Sequence, residues 1–469
     1  MSAKSRALGL LAVSCLMPAC SSAEHFVDIG LPRSGGIVGS GGAVGGGGAP
    51  SEASGGTASF PSVPVSTTER SWASPPKPGE TLPGLCDPKA GEDAQAPLGI
   101  SSAELATRLS KLFWNIAPPD YLLPDAEKRN LRTLGDAACF AQGMLNDPRS
   151  AAGVSHFFLD WLDHGALPNL AKDASLYPNF TAETAVAARA AAQAFIGHVF
   201  FPDPSMAPQP APLMALLTAK FGYVNQALSQ TLGVPSSSAN LEFVEVLPQD
   251  RLGLLGQPYF AMVESSATSS SPTRRGNRIG QSFLCTNLPP PPMGVITTAP
   301  APDPSLTTRQ AFEAKHTSNP ACMACHQLMD EPGFAFEHFD AVGTYRTVEA
   351  NKPVDTAVSL PSYRFLQWSF GPDKAAGHAG FAQLLAKSEQ VRACLSARWI
   401  AHSEAVIWDK ATPKLPSEVD PQSIAYVLRR GRYSADTTGP LDLNYFDLKQ
   451  MMLAVVELPT TYAAAASLR

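Results

Sequence analysis

Residues 319–330 read NPACMACHQLMD and contain the spacing C-x-x-C-H, formed by Cys322, Cys325 and His326. This spacing allows two thiols to add to the two vinyl groups of one haem, and it places the adjacent imidazole under the iron. The same letters are also compatible with half of a zinc site or with a redox dithiol. The rest of the chain has to distinguish these three sites.

Composition limits the class of protein. The chain has 469 residues, of which 44% are apolar, and this is enough for two to four domains with sizeable cores. Its net charge of −6 is spread without long runs of one sign, which argues against nucleic acid as a partner. Proline (43 residues) and glycine (36 residues) are concentrated in a few stretches, which indicates linkers there.

The N-terminus has the features of an export signal. Lys4 and Arg6 form a short positive region before an apolar run, ALGLLAVSCLM, which is too short to span a bilayer as a helix. The ending LMPACSS resembles a bacterial lipoprotein signal, in which Cys20 becomes the lipidated first residue of the mature chain. Plain secretion is the alternative. We expect a lipoprotein held at the bacterial outer membrane or cell surface through this lipid, or else a periplasmic or secreted protein.

Export and the surrounding sequence favour haem over the other two sites. A zinc site needs four ligands, and no second C-x-x-C or H-x-x-x-H pair accompanies the motif. A thioredoxin-like dithiol follows a strand in a βαβ pattern, which the sequence lacks. No nucleophile elbow, paired-carboxylate motif or metalloprotease sequence is present either. The motif therefore predicts covalent haem c, and the chain gives no support for a hydrolase.

The sequence predicts a mainly α fold, in which helical domains flank a small cytochrome-c-like module. Residues 21–95 are rich in Gly, Pro and Ser and bury too little apolar surface to fold, so we expect a disordered tether. Four prolines, Pro289 to Pro292, indicate an extended spacer before the module. The predicted segments are a lipoprotein signal (1–20), the linker (21–95), helical domains (96–170 and 180–286), the C-x-x-C-H module (293–362) and a C-terminal helical domain (363–469).

The remaining cysteines fit an exported protein. Outside the signal, the lipidation site and the motif, four are left, Cys86, Cys139, Cys285 and Cys394. An even remainder allows two disulfides with three possible pairings, and buried free thiols are the alternative. We predict a Cys285–Cys394 bridge, closing a loop of about 110 residues around the motif. Cys86 and Cys139 would then pair by elimination.

Several segments resemble the planctomycete-type cytochrome domains of unknown function, which occur in large exported proteins. LATRLSKLFWNIAPPDYLL and MLNDPRSAAGVSHFFLDWL resemble one such domain, and the run from LLTAKFGYVNQALSQTLGV to SSSPTRRGNRIGQSFLCTNLPPPP resembles the next. HTSNPACMACHQLMDEPGFAFEHFDAVGTYRT is similar to the cytochrome-like C-x-x-C-H domain, and LLAKSEQVRACLSARWIAHSEAV to the terminal one, although RWIAHSEAVIWDK lacks the usual arginine-glycine ending. The resemblance implies a cytochrome-like module among helical partner domains and supplies no reaction.

The haem reading assigns a ligand set. Cys322 and Cys325 would carry the thioether bonds and His326 would be the proximal ligand. A sixth ligand has to reach the opposite haem face, and Met329 is too close to His326 for that. His338, beyond a turn at Pro332-Gly333, and His316, in the preceding helix, are equal candidates, with an open site third. The apolar wall is predicted to come from aromatic residues after the motif, namely Phe334, Phe336, Phe339 and Tyr345.

Two classes of function follow. The first is a membrane-anchored cytochrome that transfers electrons to an unidentified redox partner. The second is a surface-anchored binding or accessory protein in which the C-x-x-C-H site is structural. A haem enzyme such as a peroxidase is a weaker third. The state of the iron separates them, since a reversible low-spin haem, no haem, and an open high-spin iron are their respective signatures.

Overall fold

The computed structural model describes residues 97–162, 170–202, 210–249, 251–286, 288–289, 300, 303–317, 320–359, 374–407, 414–432 and 445–458. The predicted signal, the tether, Cys20, Cys86 and most of the polyproline spacer lie outside these residues. No helix within them is both long and apolar enough to cross a bilayer.

The described residues form a mainly α fold, as the sequence predicts. The α-helices are α1 (Ser102–Leu109), α2 (Leu122–Arg129), α3 (Leu134–Asn146), α4 (Ser150–Trp161), α5 (Ala182–Phe200), α6 (Leu213–Thr218), α7 (Gln226–Leu232), α8 (Pro258–Val263), α9 (Pro272–Phe283), α10 (Thr308–Thr317), α11 (Pro320–Phe334), α12 (Gly377–Lys387), α13 (Glu389–Ile407), α14 (Pro421–Gly431) and α15 (Leu448–Ala454). A π-helical turn, Ser110–Trp114, extends α1.

Short strands make three two-stranded antiparallel sheets in this part of the chain, in which β1 pairs with β2, β3 with β4 and β5 with β6. Their bounds are β1 (Gly222–Val224), β2 (Glu242–Val244), β3 (Val348–Glu349), β4 (Lys352–Pro353), β5 (Ala357–Ser359) and β6 (Lys374–Ala376). The strand β1 separates α6 from α7 and was not predicted from the sequence. Its residues Gly222, Tyr223 and Val224 pair with Val244, Phe243 and Glu242, and this pairing determines the local structure.

Local sequence sets the ends of the two helices that matter most for the motif. Ser271 precedes α9 and its hydroxyl accepts a hydrogen bond from the backbone N–H of Arg274, while Pro272 occupies the first helical position. The helix α11 starts at Pro320 and runs through Pro332 to Phe334. The predicted turn at Pro332-Gly333 is therefore wrong: both residues belong to the last turn of α11.

The helices before and after the motif share one buried cluster of apolar side chains. The indole of Trp161 on α4 lies 4.2 Å from the ring of Phe283 on α9, and its Nε1 donates to the carbonyl of Ser282 at 2.6 Å. On α13, the Trp399 ring contacts Phe157 edge-to-face at 4.8 Å. These contacts hold α4 against both α9 and α13.

A disulfide joins the chain on either side of the motif. Cys285 and Cys394 are bonded, with their Cα atoms 5.4 Å apart, which is the pairing expected from the sequence. The bridge spans 109 residues, and in the chain-entropy model a loop of that size contributes about 4.7 kcal/mol to the free energy of unfolding. Cys139 is also disulfide-bonded, but its partner lies outside the described residues, so the pairing with Cys86 stays a prediction.

Candidate haem-attachment site

The first two turns of α11 carry the C-x-x-C-H motif. Residues three and four positions apart share a helix face, so Cys322, Cys325 and His326 project from one side of α11. Both cysteines are free thiols and are partly exposed. The neighbouring Met323 is 42% exposed, so this end of the helix borders solvent. Two accessible thiols beside an imidazole are what covalent attachment of a haem requires.

The imidazole of His326 is held by a carboxylate one turn later on the same helix. Its Nδ1 lies 3.3 Å from both carboxylate oxygens of Asp330. The Asp330 side chain is only 7% exposed, whereas that of His326 is 25% exposed. Thr273 on α9 donates its hydroxyl hydrogen to Oδ1 of the same carboxylate at 2.5 Å. The histidine is therefore tied, through Asp330, to a second helix.

The close packing of α9 against α11 depends on two glycines. A Cβ atom on Gly276 would lie 1.6 Å from the carbonyl oxygen of Met329, and one on Gly333 would lie 1.9 Å from the carbonyl oxygen of Pro272. Gly276 thus contacts α11 and Gly333 contacts α9 with backbone against backbone. The helices run antiparallel, since Pro272 meets Gly333 and Gly276 meets Met329. This contact brings Thr273 within reach of Asp330.

A buried arginine on α9 holds the segment that follows α11. The guanidinium of Arg275 is fully buried and donates to the carbonyl oxygens of Phe336, Phe339 and Asp340 at 2.8–2.9 Å. Its Nη1 also lies 3.3 Å from the carboxylate of Glu337, which is 1% exposed. Burial raises the pKa of the Glu337 carboxyl, and this effect outweighs the lowering of the pKa by the guanidiniums of Arg275 and Arg346.

A second guanidinium completes this buried network. Arg346 lies 2.9 Å from the carboxylate of Glu337 and 2.6 Å from that of Glu349. The hydroxyl of Ser270 donates to Glu337 at 2.7 Å. Glu337 therefore has two arginines and a hydroxyl as partners, so the cost of burying its charge is offset. The network fixes the path of the chain from Glu337 to Glu349, which includes His338 and Tyr345.

The two candidates for a sixth ligand lie on opposite sides of the motif in the sequence. His338 is partly buried, its Nδ1 donates to the carbonyl of Arg346 at 2.8 Å, and its ring stacks on Tyr345 at 5.0 Å. With Nδ1 engaged, Nε2 is the nitrogen left to coordinate a metal. His316 lies near the end of α10, and its side chain is outside the description. Both therefore stay predictions.

The phenylalanines predicted to line the haem are buried against protein side chains. Phe334 and Phe336 are 2% and 1% exposed. The ring of Phe336 contacts Phe260 at 5.4 Å and His378 at 5.0 Å, and the guanidinium of Arg309 covers Phe334 at 4.5 Å. Burial lowers the pKa of His378 to about 4, so its ring is neutral at physiological pH. Both phenylalanines therefore belong to the buried core of the protein.

Two clefts open elsewhere and include no residue of the motif. A cleft of about 500 Å³ is lined in part by His156, Asp160 and His402. Here His156 Nδ1 lies 3.2 Å from Asp160, and this hydrogen bond is the main reason the pKa of the imidazole is raised. A second cleft of about 640 Å³ is lined in part by Tyr177 and Asp340. Neither cleft includes a thiol or a predicted haem ligand among its lining residues.

Sequence reasoning missed Asp330, Thr273 and Arg275. Asp330 follows His326 by four residues, and this spacing was itself the available signal, since such pairs meet on a helix. Thr273 and Arg275 lie in the run SSSPTRRGNRIGQSFLCTNLPPPP, to which the resemblance gave no role. Only the helix–helix contact shows that the segment supports the motif.

Two family models match the chain. Residues 100–234 match PSD4, described as a protein of unknown function (DUF1592), and residues 251–349 match PSCyt3, described as a protein of unknown function (DUF1588). Both models describe planctomycete cytochrome-type domains of unknown function, and these two segments of the chain are similar to them. The DUF1588 match includes both helices of the site, α9 and α11, together with Arg275, Glu337 and Arg346. No curated protein and no solved structure matches the chain significantly.

The residues present fit a haem better than a bare metal ion. Among the described residues, no three His, Cys, Asp or Glu side chains are grouped as a metal ion would need. A haem supplies four nitrogen ligands of its own and asks the protein for one or two axial ligands and, in the covalent form, two thiols. Cys322, Cys325 and His326 provide that set on one helix.

Proposed function

We propose that this protein carries one covalently bound haem c and serves in electron transfer outside the cytoplasm. Cys322 and Cys325 would hold the haem and His326 would bind its iron. When bound, the haem supplies a one-electron redox couple. The observation that carries the proposal is the grouping on α11 of two free, partly exposed thiols and an imidazole whose Nδ1 is held by the buried Asp330. The cytochrome-type domain match agrees with it.

Attachment needs no oxidant. Each thiol would add its S–H bond across one vinyl group of the haem, so that a carbon–sulfur bond would form and the hydrogen would go to the other vinyl carbon. Both sulfurs must therefore be free thiols, and the Cys285–Cys394 bridge is consistent with this because it occupies other cysteines. The protein positions the two sulfurs about one helical turn apart, on the side of α11 that also carries His326.

The iron ligands are tested by spectra of the reduced and oxidised protein, made with a haem c maturation system. We expect a reversible low-spin spectrum, which His326→Ala abolishes. Loss of the sixth ligand converts the spectrum to high spin, so His338→Ala and His316→Ala identify it. A wild-type spectrum in both variants means that neither histidine is the ligand. A high-spin iron in the wild-type protein would favour a haem enzyme over an electron-transfer protein.

The proposal includes a lipid anchor at Cys20. The proposed haem c would require export, because haem c is attached outside the cytoplasm in bacteria, and the LMPAC ending followed by a Gly-rich stretch suits a tethered lipoprotein. The Cys20→Ser variant should move from the membrane fraction to the soluble fraction of the cell envelope. A variant that stays in the membrane fraction contradicts the anchor and leaves the haem proposal intact.

A further inference from the structure

We propose that Asp330 and Thr273 are positioning residues for His326, and that they fix its ring and hold the haem iron at a low reduction potential. The inference rests on the proposed function, because it concerns the iron ligand of that site. It adds a role for two residues that lie outside the C-x-x-C-H motif. One of them is on a different helix, α9.

The hydrogen bond decides which nitrogen of His326 faces the iron. Asp330 is an acceptor when ionised, so Nδ1 of His326, at 3.3 Å from both of its oxygens, carries the proton and donates. The lone pair is then on Nε2, across the ring. A ligating histidine usually donates its other ring N–H to a carboxylate or carbonyl in this way, which fixes both tautomer and ring orientation.

The carboxylate is itself held in place. It is 7% exposed and receives the Thr273 hydroxyl at 2.5 Å on Oδ1. Thr273 is close enough because Gly276, one turn further along α9, lets that helix touch the backbone of Met329. A buried group with a fixed partner loses little order when a ligand binds, so the chain from Thr273 through Asp330 to His326 is preorganised.

A negative charge beside the proximal imidazole has an electronic consequence. The carboxylate draws the Nδ1 proton towards itself and makes Nε2 a stronger electron-pair donor to the iron. This stabilises ferric iron more than ferrous iron. Solvent screens this effect little, because the Asp330 side chain is almost fully buried. We therefore expect a lower potential than a neutral carbonyl partner would give.

The matched comparison is Asp330→Asn against Glu331→Gln. Both remove one carboxylate from adjacent positions, but Glu331 contacts the N–H of Ser359 at 3.1 Å instead of the imidazole. In the haem-loaded protein, Asp330→Asn should shift the ferric–ferrous equilibrium at least tenfold towards ferrous, which is about 59 mV for one electron. Glu331→Gln should shift it much less. Thr273→Val keeps the Asp330 carboxylate but removes the hydroxyl that donates to it. Its shift in the ferric–ferrous equilibrium should therefore lie between those of the other two variants. Equal potentials in the Asp330 and Glu331 variants would overturn the inference.

A second readout does not need the haem. In protein produced without the maturation system, the ring ¹⁵N shifts of His326 report the tautomer. We expect the proton on Nδ1 in the wild type and a mixture of tautomers in Asp330→Asn. A wild-type proton on Nε2 would overturn the inference. Failure of haem attachment in the wild type would instead count against the proposed function, while this apoprotein measurement still decides the role of Asp330.

Discussion

Replacing Arg275 by methionine should lower the free energy of unfolding by about 3–5 kcal/mol. The guanidinium is fully buried and donates to three backbone carbonyls as well as to Glu337. Methionine fills a similar volume but donates no hydrogen bond, so three buried carbonyls lose this donor. Glu337 would keep only Arg346 and Ser270 as partners for a buried charge.

The adjacent arginine is the control. Arg274 has a 53% exposed side chain and lies 3.8 Å from Glu264, so Arg274→Met should cost about 1 kcal/mol. Urea unfolding followed by circular dichroism measures both variants. The double variant Arg275→Met with Glu337→Gln should lose less than the sum of the single variants, since the uncompensated carboxylate is gone. Equal losses for Arg274→Met and Arg275→Met would contradict the central place of Arg275 in this network.

Much of the fold could be predicted from local pattern. Amphipathic spacing in SSAELATRLSKLFWNI and TAETAVAARAAAQAFIGHVFF corresponds to α1 and α5, because helices that bury one face repeat apolar residues every three to four positions. The strand β1 was missed, since a three-residue strand leaves almost no periodicity in the sequence. The end of α11 was also missed, because Pro332 and Gly333 are usually turn residues. Here the backbone of Pro272 lies so close to Gly333 that a side chain at this position would not fit.

The residues of the candidate site could likewise be predicted only in part from the sequence. Cys322, Cys325 and His326 were visible as a motif, since their chemistry depends on local spacing within one helix. The partners Thr273 and Arg275 were not visible, because they reach the motif segment across a separation of about 60 residues. Such contacts depend on how two helices pack, and periodicity within one helix carries no information on that. His338 was chosen as a sixth-ligand candidate from its chain distance to the motif, and His316 from the family resemblance.

Removing both thiols of the motif should abolish haem retention. Covalent attachment survives unfolding, whereas a haem held only by axial ligands is lost when the protein denatures. The variant with Cys322→Ser and Cys325→Ser keeps His326, Asp330 and the disulfide, so its fold should persist. Each single serine variant should keep one thioether. These variants therefore separate the contribution of the thioether bonds to haem retention from the contribution of the iron ligand.

The most direct test is the absorbance of the denatured, reduced polypeptide in alkaline pyridine after extraction of free haem with acidified acetone. We expect one haem for each wild-type chain, with the spectrum of a haem whose two vinyl groups are saturated. The double serine variant should show none, and a variant lacking both Cys285 and Cys394 should keep its haem, since those cysteines are bonded to each other. A wild-type chain without haem after passage through a maturation system would contradict the account, and would favour a structural role for the C-x-x-C-H site.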